Sequence, residues 1–143
     1  MSKYKEILES DRLLFRHFNI TDVQDVFEYS SDEETVKYLT WTTHKNINQT
    51  IESLNTFLSG DSVYAIVLKE IDKVIGCFDF RIVDEDIATF GYVLNRKYWS
   101  KGYMSETLST FIKYLFNELD IKEIYAMHER KNIASGKVMK KCG

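Results

Sequence analysis

The chain has 143 residues, of which 44% are hydrophobic and 14% aromatic, enough to fill the core of the single domain we expect over residues 1–143. This composition excludes a disordered chain, which would have far fewer aromatic residues. The net charge is −3 and no polybasic run occurs, so we expect neither nucleic acid nor an acidic membrane surface as a partner.

The N-terminal part of the sequence predicts one strand followed by three helices. Apolar and charged residues alternate around Leu13, which is typical of a strand. The pair Thr21-Asp22 is expected to cap the first helix, Asp32-Glu33-Glu34 to open a short second one, and Gly60 to end the third. The apolar residues that mark these elements are Leu13, Phe15, Phe18, Val23, Val26, Phe27, Val36, Leu39, Ile47, Ile51, Leu54 and Leu58.

Strands dominate after Gly60, where three runs rich in apolar and β-branched residues occur at 63–68, 74–83 and 88–94. The links between these runs are short enough for an antiparallel meander. We therefore expect three neighbouring strands in one sheet.

The C-terminal part predicts a helix over 105–119, a strand over 123–128 and a last helix over 132–141. The resulting order, β-ααα-βββ-α-β-α, is typical of an α+β fold with a mixed, mostly antiparallel sheet. The apolar stripe expected on the helix over 105–119 consists of Leu108, Ile112, Leu115, Phe116 and Leu119.

The two cysteines, Cys77 and Cys142, do not form a disulfide framework and have no partners at metal-ligand spacing. Cys77 lies in an apolar strand pattern, which indicates a core residue. The N-terminus is charged from its start, and no apolar stretch approaches the ~20 residues that span a bilayer. These features predict a cytoplasmic protein without a metal site.

The segment over 89–108 carries the most specific chemical signal. A strand enters a tight polar loop that contains Gly102, and a helix begins immediately afterwards. The backbone N–H groups at such a helix start converge, and the helix dipole adds partial positive charge, so the loop suits a phosphate group. Gly102 permits close approach of an anion, and Lys97 and Lys101 add charge. An ordinary strand-to-helix turn with two solvated lysines fits the spacing equally well.

A resemblance to a known family starts from two runs, Phe90-Gly-Tyr-Val-Leu94 and Tyr98-Trp-Ser-Lys-Gly-Tyr-Met104. Together they resemble the acetyl-CoA motif of GNAT acetyltransferases, particularly the ribosomal-protein-alanine N-acetyltransferase branch. The resemblance extends over nearly the whole chain and implies a three-layer α/β arrangement with helices on both faces of the sheet. The further matching runs are Leu8-Glu-Ser-Asp-Arg-Leu-Leu-Phe-Arg16, Val74-Ile-Gly-Cys-Phe78 and Asn132-Ile-Ala-Ser-Gly-Lys-Val-Met-Lys-Lys-Cys-Gly143.

The resemblance implies a role for each matching position. Backbone groups over 92–94 would bond the pantetheine arm where two strands splay apart, and the amides over 100–105 would hold the pyrophosphate. Asn132 matches an asparagine that contacts the arm, and Ser135 a serine that is a candidate acid for the departing thiolate; helix capping is the alternative for both. The implied cofactor-binding residues are Tyr92, Val93, Leu94, Lys97, Ser100, Lys101, Gly102, Tyr103, Met104, Ser105 and Asn132.

Three positions depart from the family pattern. Ser100 and Met104 stand where the family usually has glycine and alanine. Ser100 keeps its N–H, so phosphate binding is expected if its φ is negative, and Met104 adds bulk at the helix start. Thr89 replaces a glutamate that serves as base in related enzymes, and threonine cannot take that role at neutral pH. Asp79 and His44 are substitutes by residue type, although a loop histidine is often only solvated.

The acceptor side is implied to include Tyr38, Trp41 and His44, which lie where the family places a loop between early helices. These aromatic residues would cover a peptide N-terminus or a polyamine, or else seal the core. Similar proteins continue past Gly143 with two more strands. We expect either that this sequence is a truncated form or that the missing edge of the sheet is supplied otherwise. We therefore expect an exposed strand edge over 123–128 and a homodimer or domain-swapped assembly.

The leading interpretation is an N-acetyltransferase that moves acetyl from acetyl-CoA to a primary amine, either a protein N-terminus or a small molecule. A backbone N–H near Val93 or Leu94 would polarise the thioester carbonyl, and holding amine and thioester together supplies much of the rate. The first alternative is a non-catalytic acyl-CoA-binding or interaction module, which Thr89 and the missing C-terminal strands favour. The second is an α+β binding domain without a cofactor.

Overall fold

The computed structural model describes residues 4–37, 43–57 and 60–126. These residues form one sheet with helices against both faces, which confirms the predicted α+β class. The strands are β1 (Ile7–Glu9), β2 (Leu13–Arg16), β3 (Val63–Leu68), β4 (Lys73–Asp84), β5 (Ile87–Leu94) and β6 (Glu123–Ala126). The helices are α1 (Val23–Ser30), α2 (Glu33–Val36), α3 (Ile47–Phe57) and α4 (Tyr103–Glu118), with short 3₁₀ turns at Ile20–Asp22 and Arg96–Tyr98.

The strands lie side by side in chain order, from β1 to β6. Neighbouring strands are antiparallel except β5 and β6, which are parallel. The predicted meander of β3, β4 and β5 is therefore confirmed. The parallel pair follows from the connection, because α4 returns the chain to the end at which β5 began.

One face of the sheet packs against α4 around the ring of Phe111. This ring stacks on that of Phe78, with 4.1 Å between centroids, and meets that of Phe15 edge-on at 5.1 Å. The expected stripe is wrong at Phe116, which is 41% exposed. The buried face of α4 is centred on Phe111, and Ile112 and Leu119 lie at its half-buried edge. At 100° per residue Phe116 is about 140° from Phe111, beyond that edge.

The other face packs against α1 and α3. Val26 and Tyr29 of α1 and Leu54 of α3 are buried in the same cluster as the sheet residues Val67, Val74 and Cys77. The predicted core position of Cys77 is confirmed. The two clusters place helices on both faces, so the sheet is the middle layer of the molecule.

Two expectations for the N-terminal region are wrong. The sequence predicted one strand before the helices, and the structure has two, because β1 is only three residues long and shows no clear apolar alternation. The helical turn begins earlier than Thr21, since the side chain of Asn19 accepts from the Thr21 N–H at 3.0 Å. The Asp22 carboxylate accepts from the Asn19 N–H and from Arg16 instead of capping α1.

The remaining elements follow the predictions closely. The second and third helices occur at Glu33–Val36 and Ile47–Phe57, and the last described strand occurs at Glu123–Ala126. The expected helix over 132–141, and the positions of Leu39 and Leu58, lie outside the described residues. None of the helices in the described ranges is both long and apolar enough to cross a membrane.

Candidate functional site

The end of β5 is where the sheet opens. β6 pairs with β5 from Ile87 to Phe90, and the rest of β5 pairs only with β4 among the described residues. The Asn95 N–H donates to the Ile75 carbonyl at 2.7 Å. Because hydrogen-bonded positions alternate along an antiparallel pair, the backbone groups of Tyr92 and Leu94 point away from β4, toward the β6 side. This alternation favours Leu94 over Val93 as a donor to a ligand in the opening.

Gly76 on β4 allows this end of β5 to lie unusually close. A Cβ atom at Gly76 would come within 2.3 Å of the Val93 carbonyl oxygen. No side chain fits there without moving the β5 backbone. The position of the last residues of β5, from Val93 to Leu94, therefore depends on this glycine.

Two left-handed residues shape the loop that follows β5. Ser100 has φ +63° and Gly102 has φ +83°. The negative φ expected for Ser100 is therefore wrong: the serine keeps its N–H but adopts a left-handed conformation that suits the glycine implied at this position. The Cβ atom of serine is sterically unfavourable in this conformation. Glycine has no Cβ atom and therefore suits the position better.

Gly102 is also the residue that precedes the first turn of α4. It has no side chain to cap the helix, and its carbonyl accepts from the Glu106 N–H at 3.0 Å. The N–H groups of the first helical turn have no acceptor within the helix. These N–H groups point out of the N-terminal end of α4 toward the loop, and the helix dipole is positive at this end.

Arg12 fastens this loop to β2, a contact that the sequence analysis missed. Its Nη1 donates to the Lys101 carbonyl at 3.0 Å, and its Nε donates to Glu106 at 2.7 Å. Its guanidinium lies 4.3 Å from the centre of the Tyr103 ring. Arg12 belongs to the matching run over 8–16, but its partners Lys101 and Glu106 are 89 and 94 residues away in sequence, so spacing gave no signal.

A second set of contacts holds the loop from the α1 side. Asn95 is buried, and its Nδ2 donates to Glu28 at 2.7 Å. Lys73 also donates to Glu28, at 3.0 Å. Burial acts to raise the pKa of Glu28, but the hydrogen bonds from Lys73 and Asn95 outweigh it and hold the pKa below its ordinary value. The ionised Glu28 thus joins α1, β4 and the start of the loop.

The predicted cofactor residues of the loop fall into exposed and buried groups. Lys101 is exposed and has no ion-pair partner among the residues that the structure describes. Lys97 is exposed too, with its Nζ 3.8 Å from Glu28. Met104 points into the core, so its bulk lies beneath the loop and not in the opening. The Leu94 carbonyl accepts from the Trp99 indole N–H at 2.7 Å.

The α1/α3 face of the sheet presents Asp79 next to the open end of β5. Asp79 pairs in register with Gly91, and a Cβ atom at Gly91 would lie 3.3 Å from its Oδ1. Burial raises the pKa of Asp79, and the nearby charge of Arg81 acts in the opposite direction. Thr89 lies opposite Arg81 on the same face. Thr89, which stands where the family has a glutamate, thus lies in the row next to that of Asp79.

His44 is tied to α3. Its Nδ1 lies 2.8 Å from the Thr50 hydroxyl, and its Nε2 lies 3.3 Å from the Ser53 hydroxyl. Desolvation lowers the pKa of His44. These contacts indicate a structural role, so the predicted contact of His44 with an acceptor stays a prediction. Tyr38, Trp41, Asn132 and Ser135 lie outside the described residues.

A groove of about 490 Å³ lies elsewhere, between β1 and the outer side of α4. Its lining includes Glu9, Asp11, Glu106 and Glu118 and one lysine, Lys113. This excess of carboxylates repels phosphate, so the groove does not suit a nucleotide. Within the described part of the chain, no group of three His, Cys, Asp or Glu side chains is placed to hold a metal ion.

Known proteins are similar to this chain in fold and in sequence. The chain matches the acetyltransferase (GNAT) domain family over residues 12–143. It is 33% identical over 141 residues to the uncharacterized N-acetyltransferase p20 of Bacillus licheniformis, covering 94% of this chain and 79% of that one. A GNAT-family acetyltransferase from Bacillus anthracis superposes with a TM-score of 0.88 at 30% identity, covering 96% and 82%.

A more distant structure shares the fold. The microcin C7 self immunity acetyltransferase MccE, solved with acetyl-CoA and AMP, superposes with a TM-score of 0.80 at 18% identity, covering 94% of this chain and 79% of that one. The ribosomal-protein-alanine branch stays a prediction, whereas the family and its fold are confirmed. This chain belongs to the GNAT family of acetyltransferases.

Proposed function

We propose that the chain transfers an acetyl group from acetyl-CoA to a primary amine. The observation that supports this most is the start of α4, where Gly102 has no side chain that could cap the first-turn N–H groups. Such N–H groups suit a pyrophosphate, which coenzyme A carries. MccE, which has the same fold, was solved with acetyl-CoA bound.

The charges around the loop suit the same ligand. Lys101 is exposed beside Gly102, and Lys97 is only loosely paired with Glu28. Both side chains can move toward a phosphate without breaking a close ion pair. Arg12 contributes indirectly, because its bond to the Lys101 carbonyl fixes the backbone beside Gly102.

The open end of β5 suits the pantetheine arm and the thioester. Since Tyr92 and Leu94 point their backbone groups toward the opening, they can bond the arm in the manner of an added strand. The Leu94 carbonyl already accepts from Trp99, which leaves the Leu94 N–H as the better candidate to polarise the thioester carbonyl.

Asp79 is our candidate for the base that takes a proton from the amine. It lies on the face of β4 that adjoins the side chain of Val93, and Gly91 leaves space in front of it. A carboxylate with a raised pKa is a better proton acceptor than an ordinary one. His44 suits the role less, because both of its ring nitrogens contact hydroxyl groups of α3.

The remaining expectations stay predictions. Ser135 would protonate the departing thiolate, Asn132 would contact the arm, and Tyr38 and Trp41 would line the acceptor side. A homodimer is the predicted assembly, which light scattering at high protein concentration tests. A cytoplasmic location is the predicted setting.

Calorimetric titration with acetyl-CoA tests the donor site. Wild type should bind in the micromolar range, and Gly102→Glu should abolish binding because it adds charge and bulk at the pyrophosphate position. Gly102→Ala separates backbone strain from charge, since its Cβ meets only the flexible end of Arg12 at 3.3 Å. Ser109→Glu adds the same charge on an exposed position of α4 and should bind normally.

Amine transfer is then measured as release of free CoA. Binding of acetyl-CoA together with CoA release that depends on an added amine supports the full proposal. Binding without transfer to any amine favours a non-catalytic acyl-CoA-binding module. No binding by the folded wild-type chain contradicts the donor site itself.

A further inference from the structure

We propose that the amine acceptor also carries an anionic group, a carboxylate or a phosphate, which Arg81 binds. This inference rests on the proposed transfer reaction and names the chemical class of its acceptor. It starts from the arrangement of side chains on the α1/α3 face of the sheet, beyond the part that α1 and α3 cover.

Two rows of residues cross this part of the face. Asp79 of β4 is paired with Gly91 of β5, and the next row joins Arg81 of β4, Thr89 of β5 and Tyr125 of β6. Their neighbours Phe78, Phe80, Ala88, Phe90, Ile124 and Ala126 all pack on the α4 side. Because side chains alternate along a strand, the two rows must project to the opposite face.

Asp79 and Arg81 of β4 are therefore neighbours on one face of the sheet with different surroundings. Asp79 is mostly buried, whereas Arg81 is exposed, and their Cα atoms are about 7 Å apart at the usual rise of a strand. Arg81 has no carboxylate within ion-pair distance among the described residues. Its guanidinium is thus available for an anion that arrives with a substrate.

The adjacent residues leave space for such a substrate. Thr89 is the small side chain opposite Arg81, where related enzymes often have a glutamate. A glutamate there would form a cross-strand ion pair with Arg81. Tyr125 lies at the far end of the row and is 54% exposed. Its hydroxyl donates to the Glu123 carboxylate at 3.1 Å, so this carboxylate is bonded to Tyr125 and not to Arg81. With threonine at position 89, Arg81 lacks this cross-strand partner.

An acceptor that fits has its amine next to Asp79 and an anionic group a few carbon atoms away. Amino acids with a terminal amine and short phosphorylated amines have this form. A diamine or polyamine does not, because its second ammonium group would face Arg81. The charge pattern therefore disfavours a polyamine, which was one of the acceptors expected from the sequence.

The test compares acceptors that differ only in the anionic group. Release of CoA is measured with 4-aminobutyrate against butylamine, with phosphoethanolamine against ethanolamine, and with putrescine. We expect kcat/KM for at least one anionic amine to exceed that of its partner by about tenfold or more. The pair that shows the preference distinguishes a carboxylate from a phosphate.

Variants of Arg81 assign the preference to this residue. Arg81→Gln should remove it, Arg81→Lys should keep part of it, and Arg81→Glu should shift activity toward putrescine. Lys113→Gln, which removes an exposed charge on α4, should leave it unchanged. Calorimetry should show the same acetyl-CoA affinity for all of these proteins.

The outcomes separate this inference from the proposed function. Equal rates for the paired amines, a preference that survives Arg81→Gln, or no transfer to any anionic amine by protein that binds acetyl-CoA would each overturn the role of Arg81 and leave the donor site intact. Failure of wild type to bind acetyl-CoA would overturn both.

Discussion

Arg12 and Glu106 are joined by two hydrogen bonds, one from the Arg12 backbone N–H to Oε2 at 2.9 Å and one from its Nε to Oε1 at 2.7 Å. The Ser10 hydroxyl donates to the same carboxylate. Burial acts to raise the pKa of Glu106, but these hydrogen bonds outweigh it and keep the pKa below its ordinary value. An ionised Glu106 in the first turn of α4 therefore fixes the loop to β2.

Replacement of Arg12 should loosen the proposed pyrophosphate loop. Arg12→Gln keeps the backbone N–H bond to Glu106 but loses the side-chain bonds to the Lys101 carbonyl and to Glu106. We therefore expect the Kd for acetyl-CoA to rise about tenfold, equivalent to one charge-assisted hydrogen bond. Arg12→Lys should not restore affinity, because an ammonium group cannot reach both partners at once. Calorimetry measures the acetyl-CoA affinity of both variants.

The control for this prediction is Lys5→Gln, which breaks the exposed ion pair with Glu118 at the other end of α4. It should bind acetyl-CoA normally. Unchanged affinity in Arg12→Gln would show that the loop keeps its shape without this contact.

The left-handed serine of the loop predicts a stabilising substitution. A non-glycine residue in this conformation costs about 1–2 kcal/mol, and glycine loses about 0.5–1 kcal/mol through the entropy of the unfolded chain. Ser100→Gly should therefore raise the free energy of unfolding slightly, by about 0.5 kcal/mol, and Ser100→Val should lower it. Urea denaturation measures the free energy of unfolding of both variants. A valine variant more stable than wild type would refute the strain at Ser100.

Gly76 predicts a defect that reaches the opening from a different strand. Gly76→Ala places a Cβ atom 2.3 Å from the Val93 carbonyl, so the end of β5 must shift, at a cost of about 1–3 kcal/mol. Acetyl-CoA affinity should fall as well. Gly91→Ala should be milder in denaturation, because its Cβ meets only the Asp79 side chain at 3.3 Å. Equal stability of the two variants would be inconsistent with this close approach.

Asp79 predicts opposite effects on stability and activity. Its folded pKa is raised, so the folded state holds the proton more tightly, and stability falls as pH rises from the ordinary aspartate pKa through the raised value. Asp79→Asn should therefore raise Tm at pH 7 and remove this decline. If Asp79 is the base, kcat should drop by about 10²-fold or more. A variant with full activity would exclude Asp79 as the base, whatever its Tm.

Much of the fold could be predicted because its elements have strong local patterns. The meander of β3, β4 and β5 and the helix α4 were expected within one or two residues. β1 was missed because its three residues show little apolar alternation. Phe116 was assigned to the core because it lies four residues after Ile112, whereas the buried face of α4 is centred on Phe111.

The candidate site was predictable where a run of residues carries it. The run over 98–104 indicated the phosphate loop, and Gly102 lies at the start of α4 as expected. The contacts that hold the loop were not predictable, because Arg12 and Glu28 reach it from elements distant in sequence. The left-handed conformation of Ser100 contradicted the preference of serine, which only the tertiary structure could reveal.

The most direct test of the donor site is an amide NMR titration of the ¹⁵N-labelled chain with acetyl-CoA. The structure predicts the largest shifts for the N–H groups of residues 100–105 and of Leu94, with little change along the groove between β1 and α4. Shifts concentrated at Ser109, Lys113 and Asn117 in that groove, with none over 100–105, would contradict the binding of the pyrophosphate at the start of α4.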